Sequence, residues 1–203
     1  VGRAGRVLTV TSSRAEKKNA LTQEMYGALA DAIESYGEDD SARALVLTGA
    51  ADAFSAGNDL GDFAAPEQGS GEPPVGRFLR VIKDCPKPLI AAVNGLAVGV
   101  GLTMLLHCDL VYASERATFS APFVGLGLVP EAASSKLLPE AVGRAVANDL
   151  FFTGRRLSAE EALGLGLVAR VFAPGELQES VQRLAQQVAA MAPNAARRAK
   201  ALV

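Results

Sequence analysis

Short continuous apolar runs alternate along this chain with longer stretches in which apolar residues recur every three or four positions. Val7-Leu8-Thr9-Val10 reads as a strand. Thr22 is placed to cap a helix whose apolar stripe is Met25, Leu29, Ile33 and Tyr36. Ala44-Leu45-Val46-Leu47-Thr48 is an unbroken apolar run stopped by Gly49, as in a strand covered on both faces. Residues 66–76, rich in Pro, Gly and acids, are expected to form a mobile surface loop. Residues 78–83 should be helical and Leu89–Val93 a buried strand, followed by a helix over about 99–107 and a strand near 110–113. Another helix is predicted over 143–152. Ser158-Ala159-Glu160-Glu161 is a capping box, with Glu160 and Glu161 read as helix-start residues. A late strand is expected at 168–172 and an amphipathic helix at 177–191. A last helix begins at Pro193 and still runs at Val203. Strands alternating with helices point to an α/β layout, and 203 residues to a single domain, 1–203.

One stretch, residues 89–106, carries no charge and is about long enough to span a bilayer. Asn94, Gly95, Gly99 and Gly101 interrupt it, and Pro86 and Pro88 introduce it. A buried strand, a tight loop and a buried helix explain it better.

Composition narrows the chemistry further. Hydrophobic residues make up 49% and charged residues 21%, which is ordinary globular usage. The net charge of −2 offers no general attraction for nucleic acid or an anionic membrane, so neither is an expected partner. Cys85 and Cys108 stand far apart without a CxxC partner, which argues against a disulfide framework or a metal site. The single histidine, His107, excludes multi-His metal centres and is read as a hydrogen-bonded packing residue; no metal is expected. No cleavable apolar leader opens the chain, and the expected location is cytoplasmic.

Candidate chemistry lies in two Gly-containing turns, Phe54-Ser55-Ala56-Gly57-Asn58-Asp59-Leu60 and Asn94-Gly95-Leu96-Ala97-Val98-Gly99-Val100-Gly101. Each follows an apolar strand candidate and precedes a helix. Small residues there let a ligand approach the backbone, and free N–H groups can receive an anion. Neither turn is a P-loop or a Gly-x-Gly-x-x-Gly motif. Taken alone, such turns are as well explained by packing.

In combination with Asn19-Ala20-Leu21 upstream and Cys108-Asp109 downstream, they resemble the crotonase superfamily, the enoyl-CoA hydratase/isomerase family. The likeness runs from the first strand through Ala162-Leu163-Gly164-Leu165-Gly166-Leu167-Val168. It implies a crotonase-like spiral of ββα repeats with C-terminal helices, assembled as a homotrimer or homohexamer. It also implies acyl-CoA substrates, with coenzyme A carried in the thioester and no separate cofactor. The resemblance assigns an oxyanion hole to the N–H groups of Asn58 and Val100. Ala56, in the Gly57 turn with Asp59, would offer its carbonyl to the CoA adenine. Asp59 itself reads as a residue that ties down the turn or caps the next helix. Lys17 and Lys18 lie in a loop that borders CoA phosphates in the family; a solvated basic face explains them equally well.

The two carboxylates of the family's hydratases would fall, without gaps, on Thr103 and Phe123, and neither can accept and return a proton at neutral pH. A different carboxylate occurs at Glu131, in Leu128-Val129-Pro130-Glu131-Ala132-Ala133-Ser134-Ser135. Its placement resembles the single catalytic glutamate of Δ3-Δ2-enoyl-CoA isomerases, as do Gly57-Asn58-Asp59-Leu60 and Tyr112-Ala113-Ser114-Glu115-Arg116-Ala117-Thr118-Phe119. Its apolar neighbours should make it more basic. The plain alternative for Glu131 is a surface acid at a helix start. Catalytic roles are therefore expected for Glu131, Asn58 and Val100, in an isomerase; a hydratase built around Glu131 and a silent acyl-CoA-binding module are the alternatives. Relatives continue with a further helical segment, so the C-terminal part is read as incomplete. Leu177, Val181, Leu184 and Val188 are expected to form an apolar face for oligomer contacts.

Overall fold

The structure, a computed structural model, describes residues 1–63 and 71–203. Strands β1 (Gly2–Ala4) and β2 (Val7–Ser12) form an antiparallel ribbon and lead into helix α1 (Gln23–Glu38). Next come β3 (Ala44–Gly49), β4 (Ala53–Ser55), α2 (Leu60–Phe63) and α3 (Pro74–Asp84). A second turn of chain has β5 (Leu89–Val93), β6 (Leu96–Val98) and α4 (Val100–Thr103), which tightens into a 3₁₀ turn over Met104–His107. A third has β7 (Leu110–Ser114), β8 (Thr118–Ser120), a 3₁₀ turn at Val124–Leu126, then α5 (Ser134–Val142) and α6 (Arg144–Thr153). The chain closes with β9 (Leu157–Ser158), α7 (Ala159–Gly164), β10 (Arg170–Phe172), α8 (Leu177–Ala190) and α9 (Pro193–Leu202).

Each of the three turns gives its first strand to one sheet and its second strand to another. The large sheet has the order β1-β2-β3-β5-β7-β10 and the small sheet β4-β6-β8-β9. Strand pairs within the spiral are parallel; among the described residues, only β1–β2 and β8–β9 are antiparallel. This is the ββα spiral, and its α/β character matches the expectation.

The central strands of the large sheet, β3 and β5, are buried on both faces, as the unbroken apolar runs predict. Ala44, Val46, Ile90 and Ala92 face Leu177, Val181, Ala185 and Ala189 of α8. The alternate residues Leu45, Leu47, Leu89, Ala91 and Val93 face the main core, with α1, α3 and the small sheet. This arrangement corrects the expected oligomer face. Leu177 and Val181 are buried inside the chain, and Leu184 and Val188 pack on the same cluster. The stripe packs mainly on the sheet beneath it, with Leu184 and Val188 only half-buried, so it is not a free apolar face for a second copy.

Local signals place the rest. Thr22 caps α1 by accepting from the Met25 N–H at 3.2 Å. Tyr26, rather than Met25, takes the buried place in the first turn of that helix. The capping box forms, with Ser158 Oγ accepting from the Glu161 N–H at 3.1 Å and Glu161 Oε2 from the Ser158 N–H at 2.8 Å. α3 begins at Pro74, inside the expected loop; proline suits a first helical position, where its missing N–H would have had no partner. The remainder of that expected loop, through residue 70, lies outside the described residues. α5 was not legible because Pro139 sits inside it. Among the described residues, no helix is long and apolar enough to cross a membrane; residues 89–106 fold as β5, β6, α4 and most of its 3₁₀ extension.

Candidate active site

The small sheet decides where the glycine turns meet. β4 pairs with β6, and β6 with β8, all parallel, so their C-terminal ends emerge at one edge. There the first turn carries Gly57 and Asn58 and the second Gly99 and Val100. The third strand leads through Phe123 to Glu131. Parallel strands with loops at their carboxyl ends are a common frame for a ligand site.

The first turn is held from below by Asn19, which is fully buried. Its Nδ2 donates to the carbonyls of Ala50 at 2.9 Å and Ala53 at 2.7 Å, and its Oδ1 accepts from the Arg14 N–H. Ser55 Oγ donates to the Asn19 carbonyl at 3.0 Å and accepts from the Gly57 N–H at 3.1 Å. Leu21 then bridges the turn: its N–H donates to Gly57 O at 2.8 Å, and its carbonyl accepts from the Asp59 N–H at 2.9 Å. Because the bridge uses the residues on either side of Asn58, the Asn58 N–H faces the other way. It has no partner among the described residues.

The second turn abuts the first. Gly57 has φ +95°, and a Cβ on it would lie 2.9 Å from Val98 O. A Cβ on Gly101 would lie 2.7 Å from Ser55 O. Only glycine permits so close an approach of the two backbones. The Gly99 N–H donates to Ser120 O, while Gly99 O accepts from Leu102 and Thr103 as the helix begins. Val100 opens α4, and its N–H has no partner among the described residues. Two unsatisfied N–H groups thus sit in touching turns, the arrangement that stabilises charge developing on a carbonyl oxygen.

Glu131 joins them. Thr103, fully buried on α4, donates from Oγ1 to Glu131 Oε1 at 2.6 Å. Thr103 stands three residues after Val100, roughly 4.5 Å along the helix axis. Burial raises the Glu131 carboxyl above its ordinary value, and the Thr103 hydrogen bond draws it part of the way back. Tyr26 ties the far side: its hydroxyl donates to Asn58 Oδ1, and burial, then the charge of Glu131, raise its phenol above the ordinary value. Phe123 is a buried ring against the Gly99 turn and Phe151, so no acid stands there.

The remaining candidates are distributed around this centre. Asp59 is engaged by Arg14 at 2.6 Å and caps α2 by accepting from the Gly61 and Asp62 N–H groups, and the Arg14 hydrogen bond lowers its carboxyl below the ordinary value. Lys18 is held by both oxygens of Asp52, and Lys17 is exposed. The Ala56 N–H donates to Lys18 O. Among the described residues, no three His, Cys, Asp or Glu side chains form a metal-binding group. Tyr26, and Thr103 as a partner of Glu131, were missed from the sequence. Thr103 carries no proton-transfer group, yet its hydroxyl acts as a hydrogen-bond donor.

The family model described as enoyl-CoA hydratase/isomerase matches residues 2–203. The chain belongs to the enoyl-CoA hydratase/isomerase family. It is 39% identical to enoyl-CoA delta isomerase 2 of Rattus norvegicus over 205 residues, 98% of this chain and 52% of that protein. It thus spans about half the length of that curated relative. Identity to carnitinyl-CoA dehydratase of Salmonella typhi is also 39%, over 94% of this chain and 74% of that one. A crystal structure of an enoyl-CoA hydratase/isomerase from Pseudoalteromonas atlantica T6c superposes with TM-score 0.95 at 56% identity, covering 97% of this chain and 78% of that chain. Enoyl-CoA hydratase/isomerase membership accounts for the fold, while relatives of more than one activity lie at equal identity.

The Thr103 hydrogen bond at this candidate site can be tested by itself. Thr103→Val keeps the shape but removes the donor to Glu131. The carboxyl, deprived of the hydrogen bond that lowers it, rises further. The ascending limb of kcat/KM against pH should then move to higher pH, with turnover at neutral pH reduced by about tenfold, the worth of a charge-assisted hydrogen bond. A pH–rate profile of the two proteins checks this; a limb that stays in place would remove Thr103 from the account.

Proposed function

We propose that this chain carries the acid/base site of a Δ3-Δ2-enoyl-CoA isomerase. One observation supports the reading above all: Glu131, raised by burial, is held by Thr103 of the helix that the free Val100 N–H opens, while Thr103 and Phe123 supply no carboxylate. The ionised Glu131 takes a proton from C2 of a 3-enoyl thioester. The C–H electron pair moves into a conjugated dienolate whose charge lies on the thioester oxygen, between the N–H groups of Asn58 and Val100. The same carboxyl returns the proton at C4, leaving the double bond between C2 and C3. One group serves both transfers, so a second carboxylate is not needed.

Coenzyme A arrives as part of the substrate. The Ala56 carbonyl would accept from the adenine amino group, with Gly57 and Asp59 shaping the turn beneath it. Lys17 is the more available of the two lysines for a phosphate, since Lys18 is engaged by Asp52. Assembly as a homotrimer or homohexamer is part of the same proposal.

Likeness to a dehydratase favours a second reading, in which Glu131 alone moves the proton during addition or loss of water. Purified protein supplied separately with 3-enoyl-CoA and 2-enoyl-CoA separates the two. The expected result is conversion of 3-enoyl-CoA at constant mass with growth of conjugated-enoyl absorbance. Rapid gain of one water in mass by 2-enoyl-CoA would replace the isomerase by the hydratase.

A further inference from the structure

The residue after Glu131 is held by a group that the reaction does not use. Ala132 and Ala133 have φ of +51° and +57°, a left-handed pair in residues that carry a Cβ. Such a pair persists only where its surroundings hold it. The carbonyls on either side are engaged locally: Glu131 O accepts from the Ser134 N–H, and Ala133 O from the Lys136 and Leu137 N–H groups. Ala132 O has no backbone donor among the described residues. Its partner is His107 Nε2, at 2.9 Å. Because a carbonyl only accepts, Nε2 carries the hydrogen.

His107 ends the 3₁₀ turn that extends the Thr103 helix, and the two side chains reach the same Glu131–Ala132 segment. Thr103 grips the Glu131 carboxyl and His107 grips the carbonyl of the next residue, Ala132. From this geometry we propose that His107 is a positioning residue, which holds the left-handed Ala132 peptide in place and thereby aims the Glu131 carboxyl at the site. The inference rests on the role given to Glu131 above. His107 touches no reacting atom. Released from it, the Ala132 peptide can rotate, and the carboxyl swings with its own backbone away from Thr103. Small misplacements of a catalytic group lower turnover by up to about a hundredfold.

The test compares His107→Leu with His107→Gln. Glutamine places an amide N–H at nearly the reach of Nε2, whereas leucine has no donor. For His107→Leu the expected result is a folded protein with kcat for 3-enoyl-CoA lowered by about tenfold or more and KM nearly unchanged. His107→Gln should recover most of that loss. A second readout is the titration midpoint of the Glu131 carboxyl, followed by NMR on protein with ¹³C-labelled glutamate. It is expected to fall towards the ordinary value in the leucine variant, as the carboxyl becomes exposed, and to return in the glutamine variant. This readout needs no turnover. If wild-type protein leaves 3-enoyl-CoA unchanged, the isomerase reading fails and the midpoints still decide the role of His107. A leucine variant with unaltered kcat and midpoint would overturn the proposal. So would a glutamine variant as impaired as the leucine one, or a leucine variant that does not fold, either of which would make His107 a residue of the fold alone.

Discussion

Replacing Glu131 by glutamine is expected to lower isomerisation of 3-enoyl-CoA by about 10²-fold or more, the usual worth of a positioned general acid/base. Glutamine keeps the size, and its oxygen can still accept from Thr103 Oγ1, but it cannot take up a proton. Binding of a saturated acyl-CoA should change little, because the thioester oxygen is held by the backbone N–H groups of Asn58 and Val100. Stability should move the other way. Burial raises the Glu131 carboxyl in the folded state, so the folded protein holds this proton more tightly than the unfolded chain. Below the ordinary carboxylate pKa both states are protonated and the group imposes no penalty. As pH rises through the folded-state value, the stability associated with the bound proton is lost. At neutral pH the glutamine variant should therefore be at least as stable as wild type, and in acid the difference should vanish. Steady-state kinetics and denaturant unfolding at the two pH values check both halves. A glutamine variant that turns over normally would return Glu131 to an ordinary surface acid.

Gly57→Ala should be severely damaging at the site, because a positive φ and a backbone clash coincide there. At φ +95° an L side chain is strained by roughly 1–3 kcal/mol, and its Cβ would lie 2.9 Å from the backbone oxygen of Val98. That oxygen belongs to β6, whose pairing with β4 sets the two turns side by side, so it cannot simply rotate away. The turns must separate, and the two N–H groups then no longer converge on one oxygen. Loss of a single oxyanion donor lowers kcat by about 10²–10³-fold, and a comparable loss is expected here together with a lower melting temperature. Gly61→Ala is a suitable comparison: its φ is not positive, and its Cβ would lie 3.3 Å from the Asp59 carboxylate, a side-chain group. A Gly57→Ala protein with near-normal kcat would show that the two turns do not act as one oxyanion site.

Much of the scaffold was legible because its information is local. Four strands of the large sheet, β2, β3, β5 and β7, run five or six residues and are mostly apolar, so they stood out. Thr22 and the Ser158–Glu161 box act within three residues of themselves. The candidate site was proposed from the sequence in a different way. Asn58, Val100 and Glu131 were carried by family resemblance, and the glycine turns by the backbone freedom that only glycine has.

By itself, then, the sequence determined the α/β class, the doubly buried strands, the helix caps and the two glycine turns, each a matter of a few adjacent residues. The tertiary structure alone decided how they meet. Strands of three residues are too short for a two-residue period to register, so β4, β6 and β8 were hidden, yet their parallel pairing aligns all parts of the site at one edge. Whether the α8 stripe faced a partner or its own sheet was likewise undetermined by periodicity, which records that a face is buried but not against what. The same holds for Glu131. Thr103 lies 28 residues before it and His107 25 before Ala132, while Tyr26 and Asn58 are 32 apart. Hydrogen bonds across such separations depend on how the spiral winds, and no local pattern of residue types encodes that winding.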